Sequence, residues 1–297
     1  MKLDYDRIKR ELSIERVLQE YDMLHDLKKS GSKLSGSCPI HGGDNPSAFN
    51  VSLEKNLWNC FTHCEGGSVI DLLMKIERIR PGEAARLGYD MLGIEDKDGQ
   101  VSSPSPKPLN FNLTLDPGHP YLEKRRIDIE TAEYFGIGYC EKGIMAGRIA
   151  IPLHDADGHL VAYCGRMVDD SQPKYRFPRG FAKNRVVYNL NRIMSKDDGE
   201  IVITEGFFDV FALYAAGIDA VALMGCSLSL NQKKQLLSLE GRLAFMFDGD
   251  EAGRRGMHQA IDALQQERPI KAIYLPEDMQ PEHYGPDHLQ EFLYGRQ

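Results

Sequence analysis

Between Glu200 and Asp250 the chain alternates two patterns. Short β-branched or aromatic runs, Ile201-Val202-Ile203 and then Leu243, Phe245 and Phe247, are separated by amphipathic stretches of helix length. This alternation predicts a parallel sheet with helices on its faces. The expected order is strand 201–204, helix 207–216, strand 219–224, helix 229–238, strand 242–247, helix 251–267 and strand 270–275. Two of the apolar runs stop abruptly in acid and glycine: Glu205-Gly206 after one, Asp248-Gly249-Asp250 after the other.

Upstream the periodicity changes. Ile8, Leu12, Val17, Leu18 and Leu24 give residues 4–29 the apolar face of one or two helices. Short strands are expected in SAFNV and NLWNC, followed by a covering helix in SVIDLLMKI. Residues 96–108 lose all apolar periodicity and alternate Ser with Pro, which reads as a solvated linker. A short helical unit around Leu122, Ile127, Ile129 and Phe135 leads into two strand-like runs, GRIAIPLHDADGHLVAYCGR, joined at Asp157-Gly158, a strong hairpin signal. The expected organisation is therefore an α+β multidomain chain: a metal-binding module over 1–95, a linker over 96–108, a basic α+β subdomain over 109–195 and an α/β domain with a parallel sheet over 196–297.

In open parallel sheets ligands bind beyond the carboxyl ends of the strands, where Glu205, Asp248 and Asp250 fall. Three carboxylates in one crevice repel each other unless cations lie between them. Hard oxygen ligands of this kind suit Mg²⁺, which usually meets phosphate. Helix capping explains one acid per turn, but not an Asp-Gly-Asp together with a second strand-end Glu-Gly. The reaction class implied is metal-assisted phosphoryl or nucleotidyl transfer.

The cysteines give a second site. Cys38-Pro-Ile-His41 and Cys60-Phe-Thr-His-Cys64 are two ligand pairs separated by a hairpin, the spacing of a structural tetrahedral zinc site. Cys38, His41, Cys60 and Cys64 form the natural set, with His63 as an alternative to Cys64. Cys140, Cys164 and Cys226 stand alone in apolar surroundings and read as buried residues. Trp58 and Phe61 could stack on bases, worth about 1–3 kcal/mol each, or fill the small core. For Phe61 the core reading is favoured; for Trp58 both stay open.

Composition adds limits. A hydrophobic fraction of 42% in 297 residues excludes wholesale disorder, and the charged N-terminus lacks a signal-peptide core, so a cytoplasmic protein without membrane contact is expected. The net charge of −8 argues against tight, purely electrostatic DNA binding by the whole chain. Charge is unevenly spread, however. Arg166, Lys174, Arg176, Arg179, Lys183, Arg185 and Arg192 face only Asp169 and Asp170 in one stretch, a basic strip able to hold a phosphate backbone.

EGFFD followed by FDGDEAGRRG resembles the Toprim domain, a Rossmann-like fold shared by DnaG-type primases, topoisomerases and some nucleases. The resemblance implies that Glu205 acts with Asp248 and Asp250 around Mg²⁺ or Mn²⁺; Asp209 also matches the family's motif as a further metal-site acid. CPIHGGDNPSAFNV with WNCFTHCEGGSVIDLL is similar to the CHC2 zinc-ribbon-like finger of DnaG-type primases. The ordered GR…GR…PKY of Arg148, Arg166, Lys174 and Tyr175 is similar to the basic subdomain of the same family. Carried over, Arg148, Arg166 and Lys174 would contact a nucleoside triphosphate or the template–primer backbone, with Tyr175 and Lys183 matching less closely. The family's Asp-Pro-Asp after the last strand has no obvious counterpart; Asp278 or Asp287 is the expected substitute for its metal-facing acids.

The resemblance implies a compact DnaG-type DNA primase, of the sort a mobile element carries, making short RNA or mixed primers on single-stranded DNA from nucleoside triphosphates. A helicase or polymerase partner would be encoded separately, since the family's helicase-binding region is expected to be missing. The alternatives are a Toprim nuclease, using the same acids with water as nucleophile, and a non-catalytic single-strand-binding replication module.

Overall fold

The computed structural model describes residues 4–21, 23–24, 27–42, 44–94, 107–169, 171, 173–178, 181–194 and 199–295. The linker expected over 96–108 lies outside them except for Lys107 and Pro108, as do Asp170 and Arg179. The chain divides into two compact units: Met1–Ser105 with Arg176–Arg185, and Pro106–Tyr175 with Val186–Gln297.

The first unit opens with two helices, α1 (Tyr5–Glu11) and α2 (Ile14–Glu20). Each starts on an acceptor: Asp4 takes the amide of Arg7 at 2.9 Å and Ser13 that of Arg16 at 3.1 Å. Five short strands follow in an antiparallel sheet of sequential order, β1 (Leu27–Ser30), β2 (Lys33–Gly36), β3 (Phe49–Ser52), β4 (Leu57–Cys60) and β5 (Glu65–Gly67). Alternation sends Leu34, Phe49, Val51 and Trp58 to one face. There they join Val69, Ile70, Leu72 and Leu73 of α3 (Val69–Glu77) and Ala84, Ala85 and Leu87 of α4 (Pro81–Leu92) in a single core. A fully buried aliphatic side chain of this size contributes roughly 1.5–3 kcal/mol. Trp58 is 3% exposed, stacks on Phe49 at 5.5 Å and donates its indole N–H to Ser68 O at 3.1 Å. Trp58 is core.

The segment Arg176–Arg185 also packs in this unit. Ala182 enters its core, and Arg185 pairs with Glu77 at 2.9 Å, which also accepts the Tyr21 hydroxyl at 2.5 Å. Burial, and next the charge of Glu77, keep the Tyr21 phenol well above its ordinary range.

The second unit carries α5 (Pro120–Lys124) and α6 (Ile129–Phe135), then a sheet of order β6-β7-β8-β9: β6 (Gly138–Cys140), β7 (Arg148–His154), β8 (Leu160–Met167) and the short β9 (Tyr175–Arg176). The β7–β8 hairpin is antiparallel and pairs Ile149 with Arg166 and Ala150 with Gly165. After α7 (Leu190–Ile193) come β10 (Glu200–Thr204), α8 (Phe207–Ala215), β11 (Asp219–Ala222), α9 (Leu230–Leu237), β12 (Arg242–Phe245), α10 (Glu251–Leu264), β13 (Ile270–Ala272) and α11 (Pro286–Tyr294). The four strands are all parallel, in the order β11-β10-β12-β13. Ile201, Ile203, Val221, Leu243 and Phe245 fill the core on one side with Met257, Ala260 and Leu264 of α10. The alternation in the sequence therefore produces the expected α/β domain, with helix and strand ends shifted by a few residues. Among the described residues no helix is long and apolar enough to cross a membrane.

Candidate functional site

Adjacent central strands deliver the acids. Glu205 follows β10 directly, Asp248 lies just beyond β12, and Asp250 caps α10 by accepting the Gly253 amide at 2.7 Å. Glu205 Oε1 accepts the Asp248 amide at 3.1 Å, which ties the two strand ends together. Asp209, in the first turn of α8, is buried. Its Oδ2 accepts the Gly206 amide at 3.1 Å and its Oδ1 the Glu282 amide at 3.3 Å.

Glu205, Asp248 and Asp209 are costly to ionise. Burial first, then the charges of Asp248 and Asp250, push Glu205 from 4.5 up to about 7. Burial, then Asp250 and Glu282, raise Asp248 from 3.8 to about 6, against the pull of Gln280 and Lys174. Asp209 is raised well above its ordinary range, by burial and then by Asp248 and Glu282. Asp248 Oδ2 accepts the Gln280 amide at 2.6 Å, while its buried Oδ1 has no hydrogen-bond partner. An unsatisfied carboxylate oxygen among like charges fits a divalent cation, which would supply the missing partner and offset the repulsion. The three acids are more widely set than the finger's ligands. Among the described residues, the groups of three or more donors that all lie within 4.8 Å are the four finger residues and Asp155, Asp157 and His159. Wide spacing suits Mg²⁺, which keeps several waters and takes only one or two carboxylates.

The residues expected to replace the Asp-Pro-Asp need correction. Asp278 and Asp287 are both exposed. The structure instead brings Gln280 and Glu282 to the acids, through a short turn at Pro281–His283. Glu282 lies between Asp278 and Asp287 in the C-terminal stretch, and nothing local distinguishes it from those neighbours.

The basic residues divide in an unexpected way. Arg166 is only 3% exposed: its Nε donates to the Tyr121 hydroxyl at 2.5 Å, another N–H reaches the Tyr175 hydroxyl, and its guanidinium lies 4.3 Å over Phe208. Tyr175 thus serves Arg166, and burial lifts its phenol far above the ordinary range. Arg148 is half-buried and donates to Ala146 O at 3.0 Å; its stem crosses Gly165, where a Cβ would meet Arg148 Cδ at 2.6 Å. The glycine of the second Gly-Arg pair therefore makes room for the arginine of the first. Lys183 belongs to the first unit, with Arg176–Arg185. Lys174 lines two clefts. One, of about 420 Å³, is bounded by Lys124, Arg125, Arg126, Lys174, Gln280, Glu282 and His283. The other, of about 450 Å³, includes Tyr121, Arg166, Asp169 and Ser171. Lys124, Arg125 and Arg126 were not singled out by the sequence pattern; the run of three cations at the end of α5 was the available signal. Arg254 braces the site loop, donating to Gly249 O at 2.9 Å and Leu275 O at 3.2 Å, and Arg255 pairs with Glu251.

In the first unit, Cys38, His41, Cys60 and Cys64 converge. Cys38 Sγ lies 3.8 Å from Cys64 Sγ, and His41 Nδ1 lies 3.1 Å from Cys64 Sγ and 3.8 Å from Cys60 Sγ. A tetrahedron with Zn–S arms of about 2.3 Å has edges of roughly 3.8 Å, so the donor set and its spacing fit zinc. Cys64 rather than His63 completes the group; His63 packs edge-on against His41 at 5.1 Å. Burial pushes the Cys64 thiol up to about 12, and Cys38 adds to this. At Cys60, burial also acts upward but is outweighed by hydrogen bonds from Thr62 and the amides of His63, Cys64 and Thr62, which leave it at about 6. Phe61, expected in the core, is 74% exposed beside these ligands. The knuckle that aims Cys60 inward turns its neighbour out. Cys140 and Cys164 are buried and Cys226 half-buried.

Comparison with known proteins finds a family match for each of the two domains. Residues 1–103 match the CHC2 zinc finger family and residues 202–284 the Toprim-like family. The DNA primase of Aquifex aeolicus is 30% identical over 96% of this chain and 66% of its own length. That of Neisseria meningitidis serogroup A is 27% identical over 87% of this chain and 54% of its own. The chain thus spans about half to two thirds of the length of these relatives. The crystal structure of the zinc-binding and RNA polymerase domains of the Aquifex aeolicus primase superposes with a TM-score of 0.54 at 26% identity, covering 99% of this chain and 85% of that one. Fold and site define a Toprim protein with a CHC2 zinc finger. Within that class the chain belongs to the DnaG-type primase family. That family brings zinc to the finger and a divalent cation, Mg²⁺ or Mn²⁺, to the Toprim acids.

Proposed function

We propose that this protein is a DNA primase that builds short primers on single-stranded DNA from nucleoside triphosphates. The observation that carries this reading is one juxtaposition. The buried, unpartnered Asp248 Oδ1 stands among Glu205 and Asp250, and Gln280 and Glu282 link this acid group to a cleft lined by Lys124, Arg125, Arg126 and Lys174. Glu205, Asp248 and Asp250 would hold the cation. When bound, it lowers the barrier to attack of a 3′-hydroxyl on the α-phosphate and stabilises departing pyrophosphate.

The chain's own residues do the rest. The cationic cleft receives the triphosphate, with Lys174 at the border of both clefts. Arg166 acts from beneath, holding Tyr121 and Tyr175 in place, and Arg148 lies on the same hairpin. In the finger, Cys38, His41, Cys60 and Cys64 hold structural zinc, and exposed Phe61 offers a face on which a template base can stack.

The test is primer synthesis on circular single-stranded DNA with labelled nucleotides and Mg²⁺ or Mn²⁺, beside Asp248→Asn. Wild type should make short labelled products and the variant should lose them by at least a hundredfold, a loss of about 3 kcal/mol of transition-state stabilisation. Cleavage of the template without synthesis would replace this reading with a nuclease.

A further inference from the structure

Glu282 is engaged by a cation. Its carboxylate pairs with Arg125, and the two side chains are 12% and 21% exposed. Arg125 is fixed from two other directions: its Nη1 donates to the Tyr121 hydroxyl at 3.1 Å, and its guanidinium lies 4.5 Å over Phe208. Yet Glu282 stands with the Toprim acids. Its amide donates to Asp209 Oδ1, and after burial and Asp250 its charge is among those that raise Asp248. Gln280, two residues earlier, donates an amide hydrogen bond to one oxygen of Asp248. One acid of the group is therefore held by an arginine, and one oxygen of another by an amide.

Resting on the primase reading, we propose that the Arg125–Glu282 pair is a latch on the metal site. Without nucleotide, Glu205, Asp248 and Asp250 take a single divalent cation, and Glu282 is withheld from metal by Arg125. The same Arg125 lines the cationic cleft with Lys124, Arg126 and Lys174. Phosphate oxygens entering that cleft compete with Glu282 for the guanidinium, which binds either group in the same forked geometry. Once Arg125 turns to phosphate, Glu282 is a largely buried charge without its partner, a costly state. A second cation beside Asp248 relieves it. Nucleotide binding thus completes the metal site, and a free metal pair does not form ahead of substrate.

The test counts Mn²⁺ bound to the zinc-loaded full chain by the EPR signal of the remaining free Mn²⁺, with no nucleotide present. Wild type should bind one ion per chain. Arg125→Ala should bind a second, and Arg125→Ala with Glu282→Gln should return to one. Arg125→Gln keeps part of the stem over Phe208 and should read the same as Arg125→Ala if that variant does not fold. One ion in both wild type and the Arg125 variants, or two in wild type, overturns the latch while leaving the catalytic metal site standing. No Mn²⁺ on any form overturns the latch together with the metal reading of Glu205, Asp248 and Asp250.

Discussion

At the scale of single residues, the protonation of Glu205 and Asp248 ties stability to chemistry. Both carboxyls hold protons more tightly in the folded chain, at about 7 and about 6, than their ordinary values of 4.5 and 3.8. A raised carboxyl contributes stability that is fully present below its ordinary value and is lost as the pH rises through its folded value. Between about pH 4 and pH 7 the metal-free second unit should therefore lose stability from these groups. A cation needs them ionised, so its binding releases protons and strengthens over the same interval. The melting temperature of the second unit should gain more from Mg²⁺ at about pH 7.5 than at about pH 5. Asp248→Asn, which cannot ionise, should flatten the metal-free slope. An Mg²⁺ effect that is equal at both pH values would show that these acids do not bind it.

At the scale of elements, the approach of α10 to the strand ends fixes the acids. A Cβ at Gly253 would meet Asp248 O at 2.4 Å and Glu205 Oε1 at 2.5 Å; one at Gly249 would meet Pro276 O at 1.9 Å. These glycines are the space the site needs. Gly253→Ala gains helix propensity worth about 1 kcal/mol, but its Cβ meets the Asp248 backbone carbonyl as well as Glu205, so the backbone after β12 must shift and Glu205 is displaced. The expected result is a lowered melting temperature of the second unit and primer synthesis reduced at least tenfold. A variant that keeps full activity would show that Glu205 has no need of its present place. The β7–β8 hairpin uses the same device, with Gly165 beneath the stem of Arg148.

At the scale of the molecule, two separate cores carry the two sites. Among the described residues the first unit packs a small sheet with α1 to α4, and its candidate ligands Cys38, Cys60 and Cys64 belong to its core. Burial makes the Cys38 and Cys64 thiols resist ionisation without a metal, and zinc binding is part of folding in modules of this kind. Calorimetry should resolve two transitions. A zinc chelator should abolish or sharply lower the one from the first unit and leave the one from the second within a few degrees. A single transition that shifts as a whole would show that the two cores do not melt independently. The net charge of −8 conceals this division: cations gather around Lys174 in the second unit while the surplus of acid is spread elsewhere.

The sequence by itself determined the elements and the chemistry that local pattern can encode. Alternating apolar runs specify strands, and acids placed directly after them reach the crevice because a parallel sheet exposes the carboxyl ends of its strands. Cysteine and histidine spacing specifies the finger, since two short knuckles on one hairpin can meet at only one ion. What the tertiary structure alone decided concerns partners far apart in the chain. Arg166, legible as a candidate phosphate contact, is locked under Tyr121, Tyr175 and Phe208. Trp58 turned inward and Phe61 outward, although both are aromatic and three residues apart. Glu282 reached the acids in place of Asp278 or Asp287 because Pro281–His283 turns it toward Asp209, and it met Arg125 there. Periodicity fixes which face a residue occupies within its own element. Which side chain it meets across that face depends on how the elements pack, and no local pattern records that.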